Sequence, residues 1–238
     1  MRKGEETRNE FLQIAERLFC AQGYEETSIQ NILDAAHGSE GGFYHHFVSK
    51  EDVLRQLCER RAASSAERTA QEIADGQPAP LDQLSLVLGR AMPIHREDLS
   101  FMCMMMPILD RKEGMTVRVA FQEAMIEAYL PLLQKAVQRC VDESLIFPVS
   151  SDVEKPVLIL LQFCWAEAAA HLISDARGGN LTDAGILLDI LTVYRKSVEA
   201  LLNTPYGFID LMPLSDWTAF AEEACRRMFV SAKTSRWG

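Results

Sequence analysis

Positive charge is short in this sequence relative to negative charge. The 238 residues include 24 Lys and Arg against 34 Asp and Glu, a formal net charge of -10. That balance excludes a protein that coats nucleic acid indiscriminately, because such binding relies on many cationic contacts to phosphate. Cysteine is thin and unpatterned. Cys20, Cys58, Cys103, Cys140, Cys164 and Cys225 are scattered with no CxxC, which suits reduced thiols in a cytoplasmic protein. No uninterrupted apolar run is long enough to span a bilayer, so no membrane partner is expected. The first ten residues are charged, so no signal peptide is expected there either. Period-two alternation, internal repeats and low-complexity tracts are all missing, which leaves an all-α chain as the expectation.

Apolar residues make up 48% of the chain, enough for a sizeable core. Their spacing is helical from the start. Phe11, Ile14, Ala15, Leu18 and Phe19 form one stripe, and Gly23 is placed to end that helix. Thr27-Ser28-Ile29-Gln30 has the form of a capping box opening a second helix, with Ile29, Ile32, Leu33 and Ala36 as its buried face. Gly38 breaks that helix, and Ser39 can cap a third that runs through Phe47. Ser49-Lys50-Glu51-Asp52 opens a long helix reaching about Ala74. After the break at Asp75-Gly76-Gln77-Pro78-Ala79-Pro80, helices are expected at about 81–93, 97–110, 115–143, 152–176, 182–203 and 213–231.

Two short helices joined by a tight turn, the second rich in aromatics and histidine, are the layout of a helix-turn-helix that sets a recognition helix in a DNA major groove. The resemblance goes further. Gly23-Tyr24, Thr27-Ser28-Ile29, Ile32, Ala36, Ser39, Gly41, Phe43-Tyr44, His46-Phe47 and Ser49-Lys50-Glu51 are similar, in type and spacing, to the N-terminal run of the TetR family of transcriptional regulators. The similarity covers about a quarter of the chain. It implies an N-terminal helix-turn-helix three-helix DNA-binding domain over residues 1–50. Residues 51–238 then form a larger helical ligand-binding and dimerisation body. It also implies a body that commonly binds a small molecule whose arrival weakens DNA binding. Two departures stand out. His37-Gly38 replaces the Gly-aliphatic pair usual in the turn, so that the turn is shifted by one residue or Gly38 leaves a packing gap. Gly42 replaces a polar residue that often faces DNA.

The resemblance places Tyr44, His46 and Lys50 where the family often touches phosphates, and their phenol, imidazole and ammonium groups suit that role. Each also has a plainer reading as a packed Tyr, a core His or a solvated Lys. Thr27 and Ser28 offer hydroxyls and backbone N–H groups to phosphate. Gln30 and His45 are candidates for base edges, with Glu40 as a third, since Gln pairs with adenine and Glu can accept from cytosine N4. Phe43 and Phe47 are expected in the core. Arg2, Lys3 and Arg8 suggest a cationic arm, diluted by Glu5 and Glu6. Residues 1–61 hold eight cations and eleven carboxylates, a net charge of -3. DNA affinity would therefore depend on where individual groups stand.

In the body, Phe101-Met102-Cys103-Met104-Met105-Met106 is the most unusual composition. Pliant methionines fit an adaptable ligand pocket as well as they fill a core. Met92, Met102, Met105, Phe121, Met125, Tyr129 and Trp165 are the candidate ligand-binding residues. The apolar segments at about 152–176 and 182–203 read either as central helices of a monomer or as a pair that builds a four-helix interface with a second copy. Cys164, Glu167 and His171 share one helix face, yet without further ligands they make a weak metal site. Thiol sensing by Cys103 or Cys140 has no thiolate signature behind it. No cofactor and no structural metal are expected, nor is any catalytic constellation. The expected function is a homodimeric, sequence-specific transcriptional regulator. It would act as a repressor that leaves a palindromic double-stranded operator when a small apolar or amphipathic effector binds in the body. A helical-bundle enzyme and a protein-interaction adaptor are the competing readings.

Overall fold

In the computed structural model, the structure describes residues 2–95, 97–109, 114–180, 182–211, 218–224 and 226. Among these residues there is no strand. The helices are α1 (Arg2–Gln22), α2 (Ile29–Ala36), α3 (Glu40–Tyr44), α4 (Lys50–Gly76), α5 (Pro80–Arg90), α6 (Leu99–Leu109), α7 (Met115–Asp142), α8 (Glu154–Gly178) and α9 (Ala184–Leu202). The all-α expectation holds. Of the last expected segment, residues 218–224 and 226 are helical, and the rest lies outside the described residues.

The caps explain where the N-terminal helices begin and end. After α1, Gly23 takes φ 96° and its N–H bonds Phe19 O, a left-handed stop that costs a glycine little. The capping box of α2 lies one residue beyond the expected one. Ser28 is the N-cap, its hydroxyl accepts from Asn31 N, and the Asn31 side chain accepts in return from Ser28 N at 2.9 Å. Thr27 is instead buried in the turn, donating to Gly23 O at 2.7 Å and accepting from the Gln22 amide at 3.0 Å. Ser39 caps α3 through Gly42 N, but α3 stops at Tyr44, three residues short of the expected end. Ser49 caps α4 through Asp52 N, and the Asp52 carboxylate reaches back to Val48 N.

The turn between α2 and α3 settles the His37-Gly38 departure. His37 occupies the left-handed position at φ 50°, and Gly38 N–H bonds Leu33 O at 2.9 Å. Gly38 leaves no packing gap, because a Cβ built there would stand 2.7 Å from Phe11 Cζ. The expected cationic arm is also corrected. Residues 2–8 continue α1 without a break, and Arg8 Nε donates to Gln56 Oε1 on α4 at 2.7 Å.

The buried side chains make one continuous core, from Phe11, Phe43 and Phe47 at one end to Leu161, Trp165 and Leu172 at the other. Phe11 meets Phe43 and Phe47 edge-on at 5.6 and 6.2 Å between centroids, the offset geometry that aromatic quadrupoles favour. α4 packs on both α1 and α7, so it joins the small N-terminal bundle to the rest. α7 is central, lying against α4, α5 and α8, and α8 pairs with α9. The Glu154–Asp175 stretch of α8, with mean hydropathy 1.6, passes for a membrane span by length and composition alone, although Gln162, Glu167 and His171 interrupt it. Since 56% of that window is buried in the fold against α7 and α9, it is a core helix and not a span.

Candidate functional site

The stretch from Ser28 to Lys50 separates two kinds of side chain. Ile32, Leu33, Phe43 and Phe47 point into the core, while Ser28, Gln30, Glu40, Tyr44 and His45 are exposed. Tyr44 is 54% exposed, although its ring still meets Phe43 edge-on at 5.4 Å. A phenol held by one edge, with the rest in solvent, is positioned to donate outward. Gln30 donates to Asp34 Oδ1 at 2.6 Å, so in this state its amide is oriented along α2 by a neighbouring carboxylate. Gly42 has no side chain to offer, and its N–H is taken by Ser39 Oγ at 3.1 Å.

His46 and Lys50 are half-buried and tied to the protein. Burial lowers the His46 pKa below its ordinary value, and the neighbouring His45 and Arg8 lower it further. The imidazole is therefore neutral at pH 7 and can donate from only one nitrogen. Lys50 Nζ donates to Tyr24 O at 2.9 Å and sits 4.3 Å from the centre of the Tyr24 ring. An ammonium has three donors, so two remain for an incoming anion. Thr27 differs from the others. Its side chain is fully buried, and its hydroxyl serves the turn that positions Ser28.

A second feature lies where α4, α6 and α7 meet. A cavity of about 10 Å³ is lined by Arg61, Ser65, Pro93, Asp98, Phe101, Met102, Phe121 and Met125. Met102, Phe121 and Met125, three of the expected ligand residues, form its apolar wall. Tyr129 stands behind Ser65 and shares a 2.8 Å hydrogen bond with its hydroxyl. Met92, Met105 and Trp165 are buried in the core away from the lining. Sequence reasoning missed the polar wall. Arg61, Ser65 and Asp98 carry no local motif, and only the packing of α4 on the segment before α6 brings them together.

The sensing candidates in the body have ordinary surroundings. Burial pushes the Cys140 thiol up to about 11 and the Cys164 thiol up to about 12, which disfavours the reactive thiolate. Glu167 accepts from Tyr194 OH at 3.0 Å. Among the described residues no three His, Cys, Asp or Glu side chains gather as a metal site.

Fold and surface together define a helix-turn-helix protein whose N-terminal bundle is carried on a larger helical body. Residues 11–57 match the family model of bacterial regulatory proteins, tetR family. The chain is 33% identical over 120 residues to the HTH-type transcriptional regulator TcmR of Streptomyces glaucescens, covering 48% of this chain and 52% of that protein. It is 33% identical over 78 residues to the HTH-type transcriptional repressor KstR2 of Mycolicibacterium smegmatis, covering 33% and 38%. These alignments thus span about half or less of the curated relatives. Across the whole fold, the chain is similar to a crystal structure of a TetR-family regulator of Mesorhizobium loti. The TM-score is 0.51 at 16% identity, over 95% of this chain and 96% of that one. Residues 11–57 thus resemble the DNA-binding region of tetR-family regulators, and the whole chain shares the fold of one such regulator.

Proposed function

We propose that the protein is a sequence-specific transcriptional repressor of the cytoplasm that binds a palindromic operator as a homodimer. It leaves that operator when a small apolar or amphipathic effector enters the body. Residues 1–50 read DNA and residues 51–238 bind the effector and the second copy. The observation that carries this reading is the outward display of Ser28, Gln30, Glu40, Tyr44 and His45 above a closed aromatic core. With a net charge of -10, general attraction to phosphate is unavailable. Binding then depends on a few placed donors, Tyr44 and Lys50 foremost, with Gln30, Glu40 and His45 at base edges. The backbone of Thr27 and Ser28, Gly42 within α3 and the His46 ring complete the proposed DNA surface.

Dimerisation is supported by apolar side chains left uncovered on the α8–α9 pair. Phe163 is 56% exposed and Val193 60%, and Ile159 and Leu188 are exposed beside them in sequence. A second copy would bury them in a four-helix interface and set two recognition surfaces one helical turn of DNA apart. The cavity walled by Met102, Phe121 and Met125 is the proposed effector site, with Met92, Met105, Tyr129 and Trp165 in the layers that would yield as it opens. α4 would carry the change to the reading domain as a shift between two populations.

Selection of random duplex DNA by the full-length protein tests the proposal, followed by affinity against salt for the enriched sequence. A palindromic winner, weakened by salt and by the pair Tyr44→Phe and Lys50→Ala, is the expected result. Absence of any enriched sequence at low salt would overturn it.

A further inference from the structure

One side chain belongs both to the cavity and to the junction between α1 and α4. Arg61 lines the cavity, with its guanidinium 5.2 Å from the centre of the Phe101 ring and 3.9 Å from Asp98 Oδ1. Its Nε donates to Glu16 Oε1 on α1 at 2.6 Å. The other Glu16 oxygen accepts from Arg60 at 2.5 Å. Glu16 therefore ties α1 to two successive arginines of α4, and one of those arginines is a cavity wall. α1 is also the helix on which α2 packs.

Asp98 faces the same space. It is 7% exposed, and among the described residues its ion pairs are the 3.9 Å approach of Arg61 and a 3.7 Å approach of Arg68. Both are well beyond the roughly 2.7–2.9 Å of a charge-assisted hydrogen bond. Burial holds its carboxyl above the usual range, although Arg68 and Arg61 pull the other way. A buried carboxylate without a close donor is poorly solvated, and a ligand able to supply one gains from it. Beside it, the Ser65 hydroxyl is already engaged with Tyr129 at 2.8 Å.

We propose that the cavity admits an uncharged, hydroxyl-bearing aromatic molecule of the phenol class. Its O–H donates to Asp98, its oxygen accepts from Arg61, and its arrival draws Arg61 away from Glu16. The inference rests on the reading of this cavity as the effector site and names the chemistry of that site. Charge selects the class. A carboxylate ligand would confront Asp98, and an ammonium would confront Arg61. A neutral hydroxyl serves donor and acceptor together. The remaining lining, Pro93, Phe101, Phe121, Met102 and Met125, is apolar, and its pliant thioethers can adjust to a flat ring. A space of about 10 Å³ holds about one water. Entry therefore requires the methionines to change rotamer and the polar wall to move. Because Arg61 is part of that wall, occupancy and the α1–α4 tie compete for the same guanidinium.

The test is titration of the full-length protein, without DNA, by phenol, benzoate and benzylammonium, followed by calorimetry and by hydrogen exchange of α1. The variants are Glu16→Gln and Asp98→Asn. Phenol is expected to bind about tenfold more tightly than either charged probe, and Asp98→Asn to cost it about tenfold, the scale of one buried hydrogen bond. Glu16 does not line the cavity, yet Glu16→Gln frees Arg61 from its tie to α1 and is expected to tighten phenol binding about fivefold, a modest coupling. Exchange in α1 is expected to rise on adding phenol to the parent protein and to start high in Glu16→Gln. Preference for a charged probe, failure to bind phenol, or a Glu16→Gln variant with unchanged or weaker phenol affinity would each overturn the proposal. If Asp98→Asn does not fold, the probe series and Glu16→Gln still decide. Because no DNA is present, failure of operator binding would not touch this result. Conversely, phenol that binds without lowering affinity for a selected operator would count against release alone.

Discussion

The Phe11 ring lies so close to Gly38 that a Cβ built on the glycine would stand 2.7 Å from Phe11 Cζ and 2.8 Å from Cε1. Phe11 cannot retreat, since it is held edge-on between Phe43 and Phe47. Gly38→Ala is therefore expected to destabilise the protein by about 1–3 kcal/mol, the range of an overpacked core. The neighbouring residue predicts the opposite sign. His37 sits at φ 50°, where an L side chain costs about 1–2 kcal/mol and a glycine gives back part of that in chain entropy. His37→Gly should raise stability by about 0.5–1 kcal/mol. Denaturant midpoints at unchanged slope check both, and a destabilised His37→Gly would show that the left-handed turn is not strained.

Tyr129 separates stability from recognition. Its hydroxyl, buried between α4 and α7, is 2.8 Å from Ser65 Oγ and 3.1 Å from Thr69 Oγ1. Tyr129→Phe keeps the ring, so no apolar cavity opens, but it leaves a buried serine hydroxyl short of a partner. The expected cost is about 1–3 kcal/mol. Tyr44→Phe removes a hydroxyl from a ring that is 54% exposed and should leave the thermal midpoint unchanged. Equal losses of stability in the two variants would contradict the placement of both rings.

What the sequence revealed was set by local signals. The α1 stripe of Phe11, Ala15 and Phe19 was legible because helical spacing alone puts those residues on one face, and all three are buried. Ser28 was legible only to within a residue, because Thr27-x-x-Gln30 and Ser28-x-x-Asn31 both have capping form. Only packing of Thr27 against Gly23 decides between them. Gly38 was misread as a possible gap because nothing local says that the Phe11 ring lies against it. Arg61, Glu16 and Asp98 were not legible at all. They are scattered through the chain and carry no shared motif, and the charge pattern gives no sign that one guanidinium serves two carboxylates on different elements. Among the methionines, composition marked Met102 and Met105 alike. The turn of α6 places Met102 at the cavity and Met105 elsewhere in the core.

His46 predicts a pH dependence. Its folded pKa lies below the ordinary 6.5, through burial first and then through His45 and Arg8. A histidine with a lowered folded pKa destabilises the fold when it protonates, so its contribution is present above pH 6.5 and is lost as pH falls through 6.5 toward the folded value. Phosphate contact acts in reverse by favouring the imidazolium. If His46 meets DNA, operator binding takes up a proton, and affinity rises as pH falls from 7.5 to 6 while the free protein loses stability. His46→Gln should flatten both trends. Affinity measured against pH at constant salt checks this, and a His46→Gln profile identical to the parent's would remove His46 from the DNA surface.

The exposed apolar face of α8 and α9 predicts what happens when a second copy is excluded. Phe163 and Val193 are more than half exposed, so neither is needed to close the monomer's own core. Phe163→Asp with Val193→Asp should therefore leave the helical content and the monomer's melting largely intact, while placing four carboxylates across the proposed four-helix interface. Sedimentation is expected to shift from dimer to monomer. Operator affinity should then fall by about 10²–10⁴, the gain that joining two binding modules supplies through effective concentration. Affinity for an isolated half-site should stay as it was, because no residue between Ser28 and Lys50 has changed. That last comparison separates the two roles. If the double variant stays dimeric, the interface lies elsewhere on the body. If it becomes monomeric and still binds the full palindrome as tightly as the parent, operator reading does not depend on pairing two copies.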